Sequence, residues 1–244
     1  MVGRVLRKQS QAAGRIGYFL PCCHIRQRTN DGLLTHRYYR QSAIPIYYLG
    51  RRPSPGTGKK IEKIYGEDAF YLITGMHISE NYALPKIMWL KETQPDIYRR
   101  TACFLQSKDY IVYRMTGKMV TEATDAQYYH CFDILKNQWS ADLLNAVEID
   151  INKFPKLVKS GTIVGHVQPS IARECGLPSG LPVVEGLGDG RAALVGTGVL
   201  SIGDAYISLG TSSWMSFITS ITINLDRKAG QPVRLSLHLV PKLQ

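Results

Sequence analysis

The residues of this chain that could carry out chemistry lie in a glycine-rich segment, residues 182–217. Asp189 stands between Gly188 and Gly190, after a short apolar stretch at 183–184 and before residues with helical character. Because glycine lacks a Cβ, the backbone here can turn tightly and a ligand can approach it closely. We therefore predict that Asp189 is either a helix N-cap or a general base that takes a proton from a bound hydroxyl group.

A second candidate follows in the same segment. Gly210, Thr211 and Ser212 separate two apolar stretches that are predicted to be strands, residues 205–209 and 214–217. Backbone N–H and hydroxyl groups in such a turn can bind phosphate, although the same residues are also typical of an ordinary hairpin. An acid at a helix start, followed by this turn, indicates phosphoryl transfer more strongly than either feature alone.

The glycine spacing also allows a different interpretation. Gly188-x-Gly190-x-x-Ala193 loosely fits the dinucleotide-binding fingerprint. Against this, Asp189 would direct a negative charge at the pyrophosphate, and the βαβ units that such a domain requires do not follow. Dinucleotide binding is therefore the weaker alternative.

The middle of the chain alternates between predicted strands and helices, which indicates an α/β architecture. The elements expected to position Asp189 are a strand at 183–184 and a helix that starts at Arg191 and ends at Gly196. Ser107 and Ser140 are each predicted to cap a helix that begins at the next residue. Further helices are predicted over residues 59–65 and 85–93, from Pro95, and over residues 169–175.

The net charge of +11 is confined to the start of the chain. Residues 1–60 hold 12 lysine or arginine residues and a single acidic residue, Asp31. A basic arm can bind nucleic acid or anionic lipid, but no recognisable nucleic-acid-binding motif accompanies this one. Nucleic-acid binding is kept as an alternative, and no apolar run in the sequence reaches the length of a membrane helix.

The five cysteines lack the spacing of metal ligands and are odd in number; they are Cys22, Cys23, Cys103, Cys131 and Cys175. This pattern is typical of reduced thiols, so we expect a cytoplasmic location.

The segment around Asp189 resembles the FGGY family of carbohydrate kinases, which has the actin-like ATPase (ribonuclease H-like) fold. Gly188-Asp189-Gly190-x-Ala192-Ala193 matches the turn that carries the family's catalytic Asp. Ser208-Leu209-Gly210-Thr211-Ser212 matches the phosphate turn of its second domain. The resemblance extends upstream through residues 84–92 and 108–117 and covers residues 43–217 in all.

This resemblance implies ATP-dependent phosphorylation of a sugar hydroxyl, with ATP and Mg²⁺ as cofactors. It assigns the role of general base to Asp189 and sugar binding to Gly188 and Gly190, with Asp125 close to the sugar pocket. It assigns the phosphates of ATP to the turn at 210–212. It identifies no metal ligand, because the family's other phosphate turn is not found in this sequence.

The resemblance favours one class of sugar over others. The Lys108-Asp109-Tyr110 segment is most similar to the pentulose kinases, whereas the Asp-Gly pair at 189–190 occurs in gluconate kinases. We expect a pentulose such as D-xylulose, with gluconate, or glycerol and related polyols, as alternatives. Asp109 and Tyr110 themselves are interpreted as structural. The expected ligand is a small sugar or polyol, and the expected oligomeric state, if the protein assembles, is a homodimer.

Three parts are expected along the chain. Residues 1–40 form a basic segment without the family's Asp-x-Gly-Thr turn, residues 41–200 correspond to the sugar-binding domain, and residues 201–244 begin the ATP-binding domain. Because the match also ends after Phe217, we expect residues 1–40 and 218–244 not to be family sequence. We further expect this chain by itself to be inactive, and a non-catalytic remnant is the alternative to an enzyme.

Overall fold

The computed structural model of the protein describes residues 56–209 and 213–218. Its helices are α1 (Thr57–Tyr65), α2 (Glu67–Thr74), α3 (Ala83–Thr93), α4 (Pro95–Arg100), α5 (Ser107–Thr116), α6 (Ala123–Ala126), α7 (Ala141–Ala146), α8 (Pro169–Cys175) and α9 (Asp189–Gly196). Its strands are β1 (Val120–Glu122), β2 (Phe132–Asp133), β3 (Gln138–Trp139), β4 (Lys156–Val158), β5 (Ile163–His166), β6 (Pro182–Val184), β7 (Ala205–Ser208) and β8 (Trp214–Phe217).

The strands of the described part pair two by two. β1 pairs in parallel with β4, while β2 with β3, β5 with β6, and β7 with β8 are antiparallel. The parallel pair brings Glu122 opposite Val158, close to the loop that contains Ser160. Helices and strands thus mix along the chain, as the predicted α/β class requires.

Of the three hydrophobic clusters in the described part of the chain, the largest lies among the first helices, and the smallest joins Leu194 of α9 to Val199 and Ile218. Leu84, Ile87 and Met88 are buried on one face of α3, as their spacing of three and four residues dictates. They pack with residues of α1, α2, α4 and α7, among them Ile61 and Leu143, which are fully buried.

A smaller cluster joins α5 to the strand pairs. Val112 of α5 packs there with Val120 of β1 and Val183 of β6. One turn earlier on the same helix, Asp109 accepts a hydrogen bond from Tyr129, a member of the larger cluster. Helix α5 therefore contacts both of these clusters, and its polar residues lie where they meet.

The elements expected around Asp189 are present. The strand at 182–184 and the helix that ends at Gly196 are confirmed, as are the helix that starts at Pro95 and the one over 169–175. The strands predicted on either side of the turn at 210–212 are also present, as β7 and β8.

Two of the predicted helix caps need correction, and one is confirmed. The Ser140 hydroxyl accepts a hydrogen bond from the Leu143 N–H at 3.3 Å and caps α7, as predicted. Ser107 is not a cap, because α5 begins one residue earlier than expected and Gln106 takes the N-cap position. Asp189 likewise is the first residue inside α9, and the N-cap position belongs to Gly188.

Within the described part of the chain, Cys103 and Cys131 are buried, Cys175 is half-buried, and all three are free thiols. Cys22 and Cys23 lie outside the described residues. No helix among the described residues is long and apolar enough to cross a membrane.

Candidate active site

Asp189 stands at the N-terminus of α9, directly after the turn that follows β6. It is exposed, and its Oδ1 accepts a hydrogen bond from the Gly190 N–H at 2.7 Å. The helix dipole favours a negative charge at this end of a helix. The position therefore holds an accessible carboxylate, which a general base requires.

The two glycines that flank Asp189 face other polar side chains at short range. A Cβ at Gly188 would lie 3.4 Å from Asp125 Oδ1 and 3.3 Å from Thr124 Oγ1. A Cβ at Gly190 would lie 3.8 Å from the Tyr128 hydroxyl. The absence of side chains at these positions lets the Asp189 turn approach α6 and the helical turn after it.

The fold brings Asp125 close to Asp189. Burial raises the pKa of Asp125 to about 7, and the nearby negative charges of Asp109, Glu122 and Asp189 act in the same direction, while Lys108 opposes them. Asp125 is consequently close to half-protonated at neutral pH, and it can both donate and accept hydrogen bonds. The site thus places a carboxyl group of mixed protonation beside an exposed carboxylate.

Lys108 lies beneath these residues and contacts three carboxyl groups. Its Nζ donates a hydrogen bond to Glu185 Oε1, lies 3.1 Å from Asp109 Oδ1 and is 3.6 Å from Asp125 Oδ2. Burial by itself would lower the pKa of Lys108, but the three carboxylates together raise it above its ordinary value. Lys108 is therefore a permanent cation at physiological pH.

Two of the carboxyl groups that pair with Lys108 are fully buried. Asp109 and Glu185 have no exposed side-chain surface, and burial raises the pKa of both despite the lysine. Asp109 also accepts a hydrogen bond from the Tyr129 hydroxyl at 2.9 Å. Asp109 is linked to the site through Lys108 and through its charge, which acts on Asp125, and its interpretation as a structural residue stays a prediction.

Glu122 and Thr124 connect β1 to the turn in front of Asp189. The buried Glu122 carboxylate accepts hydrogen bonds from the backbone N–H groups of Thr124 and Asp125, each at 2.9 Å, and so caps α6. Thr124 Oγ1 in turn accepts a hydrogen bond from the Gly188 N–H at 2.9 Å. These contacts fix the distance between Asp125 and the Asp189 turn.

Tyr128 and Arg191 complete the surroundings of Asp189. Burial raises the pKa of Tyr128 to about 12, with the charge of Asp189 contributing, so the phenol keeps its hydrogen and can donate it. Burial lowers the pKa of Arg191, yet the guanidinium stays charged at neutral pH. Its Nε is buried and has no hydrogen-bond partner among the described residues.

The predicted site residues are brought together where the structure describes them: Asp189, Gly188, Gly190 and Asp125 form one group. Gly210, Thr211 and Ser212 lie outside the described residues, so their role as a phosphate turn stays a prediction. Sequence reasoning missed Lys108, Glu122, Thr124, Tyr128, Glu185 and Arg191. The sequence contains no distinctive signal for Glu122, since β1 reads Val-Thr-Glu and has a single apolar residue.

The described residues contain no group of three or more His, Cys, Asp or Glu side chains that could hold a metal ion. The donors present do not fit a Mg²⁺ site by themselves, and no metal ligand is assigned among them.

Comparison with known proteins places this geometry in a family. Residues 50–196, which include Asp125, Lys108 and Asp189, match the model for the N-terminal domain of the FGGY family of carbohydrate kinases. The chain belongs to the FGGY family of carbohydrate kinases. Its described part accordingly belongs to the actin-like ATPase fold, and phosphotransfer to a carbohydrate is the activity of the family.

Two of the relatives of this FGGY chain are xylulose kinases. It is 38% identical to the xylulose kinase of Bacillus subtilis over 167 residues, which is 68% of this chain and 33% of that protein. It is 34% identical to the xylulose kinase of Escherichia coli over 141 residues, 58% of this chain and 29% of that protein. The chain therefore spans about one third of the length of the curated relatives that it matches.

The solved structure of a xyloylose kinase from Brucella ovis superposes on this chain with a TM-score of 0.59 and 28% identity. The superposition covers 65% of this chain and 33% of the Brucella protein.

Proposed function

We propose that this chain supplies the sugar-binding half of an ATP-dependent pentulose kinase, with D-xylulose as substrate and Asp189 as general base. The observation that carries the proposal is the exposed Asp189 carboxylate at the start of α9, with Asp125 close by and a glycine on either side. The names of the relatives support the choice of sugar.

In this proposal Asp189 accepts the proton of the attacking sugar hydroxyl as its oxygen bonds to the γ-phosphorus of ATP. The bond from that phosphorus to the bridging oxygen breaks, and ADP leaves. Asp189 starts the reaction ionised, which the N-terminus of α9 favours. The transition state of phosphoryl transfer is loose, so correct placement of the hydroxyl is the main contribution of this half of the site.

Asp125 and Tyr128 would orient the sugar, and the glycines beside Asp189 would give it room. Asp125 can donate or accept a hydrogen bond at neutral pH, and Tyr128 can donate one. Gly188 and Gly190 let the sugar approach the backbone closely. The turn at 210–212 is proposed to bind the phosphates of ATP through its N–H and hydroxyl groups.

The test has two parts, because the chain spans about one third of its relatives. Binding of D-xylulose, gluconate and glycerol is measured by calorimetry on the 244-residue chain. Phosphoryl transfer from MgATP is measured on this chain and on a chimera in which residues 50–196 replace the matched part of the Bacillus subtilis xylulose kinase. The proposal expects D-xylulose to bind best and the chimera to phosphorylate it.

A folded chimera that phosphorylates gluconate or glycerol, but not D-xylulose, would keep the family and reject the pentulose. A folded chain that binds none of the three sugars would reject the proposed site. Salt-sensitive binding of RNA by the chain, without any sugar binding, would instead support the basic-arm alternative.

A further inference from the structure

The Thr124 hydroxyl links α6 to Gly188, the residue directly before Asp189. The Gly188 N–H donates to Thr124 Oγ1 at 2.9 Å, and Thr124 Oγ1 donates to Glu122 Oε1. A hydroxyl has a single hydrogen, so its use toward Glu122 leaves a lone pair directed at Gly188. The orientation of the hydroxyl is therefore fixed by Glu122.

Glu122 is itself held firmly. The residue as a whole is 1% exposed, and besides the hydrogen bond from Thr124 Oγ1 its carboxylate accepts hydrogen bonds from two backbone N–H groups and from Ser160 Oγ, each at 2.9 Å. Hydrogen bonds to an ionised acceptor are stronger than those between neutral groups. The anchor of the Thr124 hydroxyl is thus a buried charge whose two oxygens are shared by four donors.

Gly188 is fixed from both sides. Its N–H is held by Thr124, and its carbonyl accepts the N–H groups of Arg191 and Ala192 at 3.0 and 2.9 Å in the first turn of α9. Asp189 is the next residue, and its side chain leaves the backbone directly after this clamped unit. The direction of the Asp189 carboxylate therefore depends on the Thr124–Gly188 hydrogen bond.

We propose that Thr124, anchored by Glu122, is a positioning residue that holds the general base at the reacting hydroxyl without contacting the sugar itself. This inference rests on the proposed function, because positioning has a catalytic meaning only if Asp189 is the base. Misplacement of a reacting group by a fraction of an ångström to one ångström is enough to slow an enzyme strongly.

The experiment compares Thr124→Val with Thr124→Ser and Ser160→Ala. Thr124→Val removes the hydroxyl with little change in shape, and Thr124→Ser restores it. Ser160→Ala is the matched control, because it also removes one donor from Glu122 but leaves the Thr124–Gly188 hydrogen bond in place. Circular dichroism and thermal unfolding verify that each variant is folded.

Two readouts are taken: exchange of the Gly188 amide hydrogen in the 244-residue chain, and turnover of D-xylulose with MgATP in the chimera, which contains Thr124, Ser160 and Gly188. In Thr124→Val we expect about tenfold faster exchange at Gly188, as the loss of one hydrogen bond implies. In the chimera, we expect kcat to fall about tenfold or more with the KM for MgATP unchanged. Thr124→Ser should restore both, and Ser160→Ala should resemble the unchanged protein.

The outcomes separate the two proposals. Unchanged Gly188 exchange in folded Thr124→Val, or equal effects of Ser160→Ala and Thr124→Val, would overturn the positioning role. Absence of D-xylulose turnover in the folded, unchanged chimera would contradict the proposed function but would not affect the exchange result. In that case the exchange rates and their rescue by serine decide whether Thr124 holds the turn.

Discussion

Asp189 differs from the other exposed acids of the described chain in having both a helix N-terminus beneath it and glycines on either side. In the chimera, Asp189→Asn is expected to lower the turnover of D-xylulose about 100-fold or more, because it removes the proton acceptor without changing the shape of the side chain. Steady-state kinetics with D-xylulose and MgATP measure the effect.

The control for this substitution is Asp142→Asn. Asp142 is also an exposed acid in the first turn of a helix, α7, but it lies away from the candidate site. Its substitution should leave turnover unchanged. Full activity of Asp189→Asn would remove Asp189 from the mechanism, whatever the sugar.

Asp125 should make the stability of the protein depend on pH. Its pKa is raised from 3.8 to about 7 on folding, mainly by burial. A raised pKa means that the contribution of Asp125 to stability is fully present below about pH 4 and is lost as the pH rises to about 7. The Asp125→Asn variant does not undergo this loss. Its free energy of unfolding, relative to that of the unchanged protein, should therefore increase between pH 4 and 7 and stay constant above pH 7.

Urea unfolding at pH 4.5, 6 and 8 measures the difference between the two proteins. The shift sets an upper limit of about 4 kcal/mol on the change across this range, since one pKa unit corresponds to about 1.4 kcal/mol. Asp109 and Glu185 are present in both proteins, so the part of their titration that does not depend on the Asp125 charge cancels in the comparison. A difference that is the same at pH 4.5 and pH 8 would contradict the raised pKa of Asp125.

At the scale of secondary-structure elements, the two serines predicted as caps provide a matched pair. Ser140 is buried and its hydroxyl accepts the Leu143 N–H, whereas Ser107 is exposed within the first turn of α5 and caps nothing. We expect Ser140→Ala to lower the free energy of unfolding by about 1 kcal/mol. Ser107→Ala should change it by less than about 0.5 kcal/mol. Chemical denaturation followed by circular dichroism compares them, and equal losses would be inconsistent with the assigned caps.

Local signals made most of these elements predictable. Pro95 at the start of α4 and Gly176 after α8 act on their own neighbours in sequence, so the corresponding helix ends could be predicted. Helix starts without such residues could be placed only to within one or two residues, since α5 begins one residue earlier than predicted and α9 begins two residues earlier. For Asp189 this changes the assignment, since the cap is Gly188 and the Asp189 carboxylate is left exposed.

Contacts between elements that are far apart in the sequence could not be predicted from local sequence signals. Lys108 and Glu185 lie 77 positions apart, and nothing in the sequence around either residue indicates the other. The same holds for the Thr124–Gly188 hydrogen bond, which spans 64 positions. The sequence could therefore identify Asp189 and its glycines, whose role is local, but not the residues that hold them in place.

For the molecule as a whole, Lys108 connects helix α5 to strand β6 at the place where the two larger of the three hydrophobic clusters meet. It pairs with Asp109 on its own helix and with Glu185 directly after β6, and both carboxyl groups are fully buried. Removing one member of a buried ionic group leaves the other charges without compensation, which typically costs about 3 to 5 kcal/mol. We therefore expect Lys108→Met to destabilise the entire described fold by about this amount.

Lys60→Met is the matched control, because it also breaks a lysine–carboxylate pair. Lys60 lies 2.6 Å from Glu92, but both side chains are about half exposed, at 52% and 44%, and such pairs contribute at most about 1 kcal/mol. Urea unfolding is followed by tryptophan fluorescence, which reports on Trp89 and Trp139 next to the larger cluster and also on Trp214, and by circular dichroism, which reports on all helices. If Lys108 joins the two clusters, the unfolding transitions of Lys108→Met seen by fluorescence and by circular dichroism should move together to lower urea concentrations. A loss no larger than that of Lys60→Met would mean that the buried carboxyl groups find other compensation, and that Lys108 does not hold the clusters together.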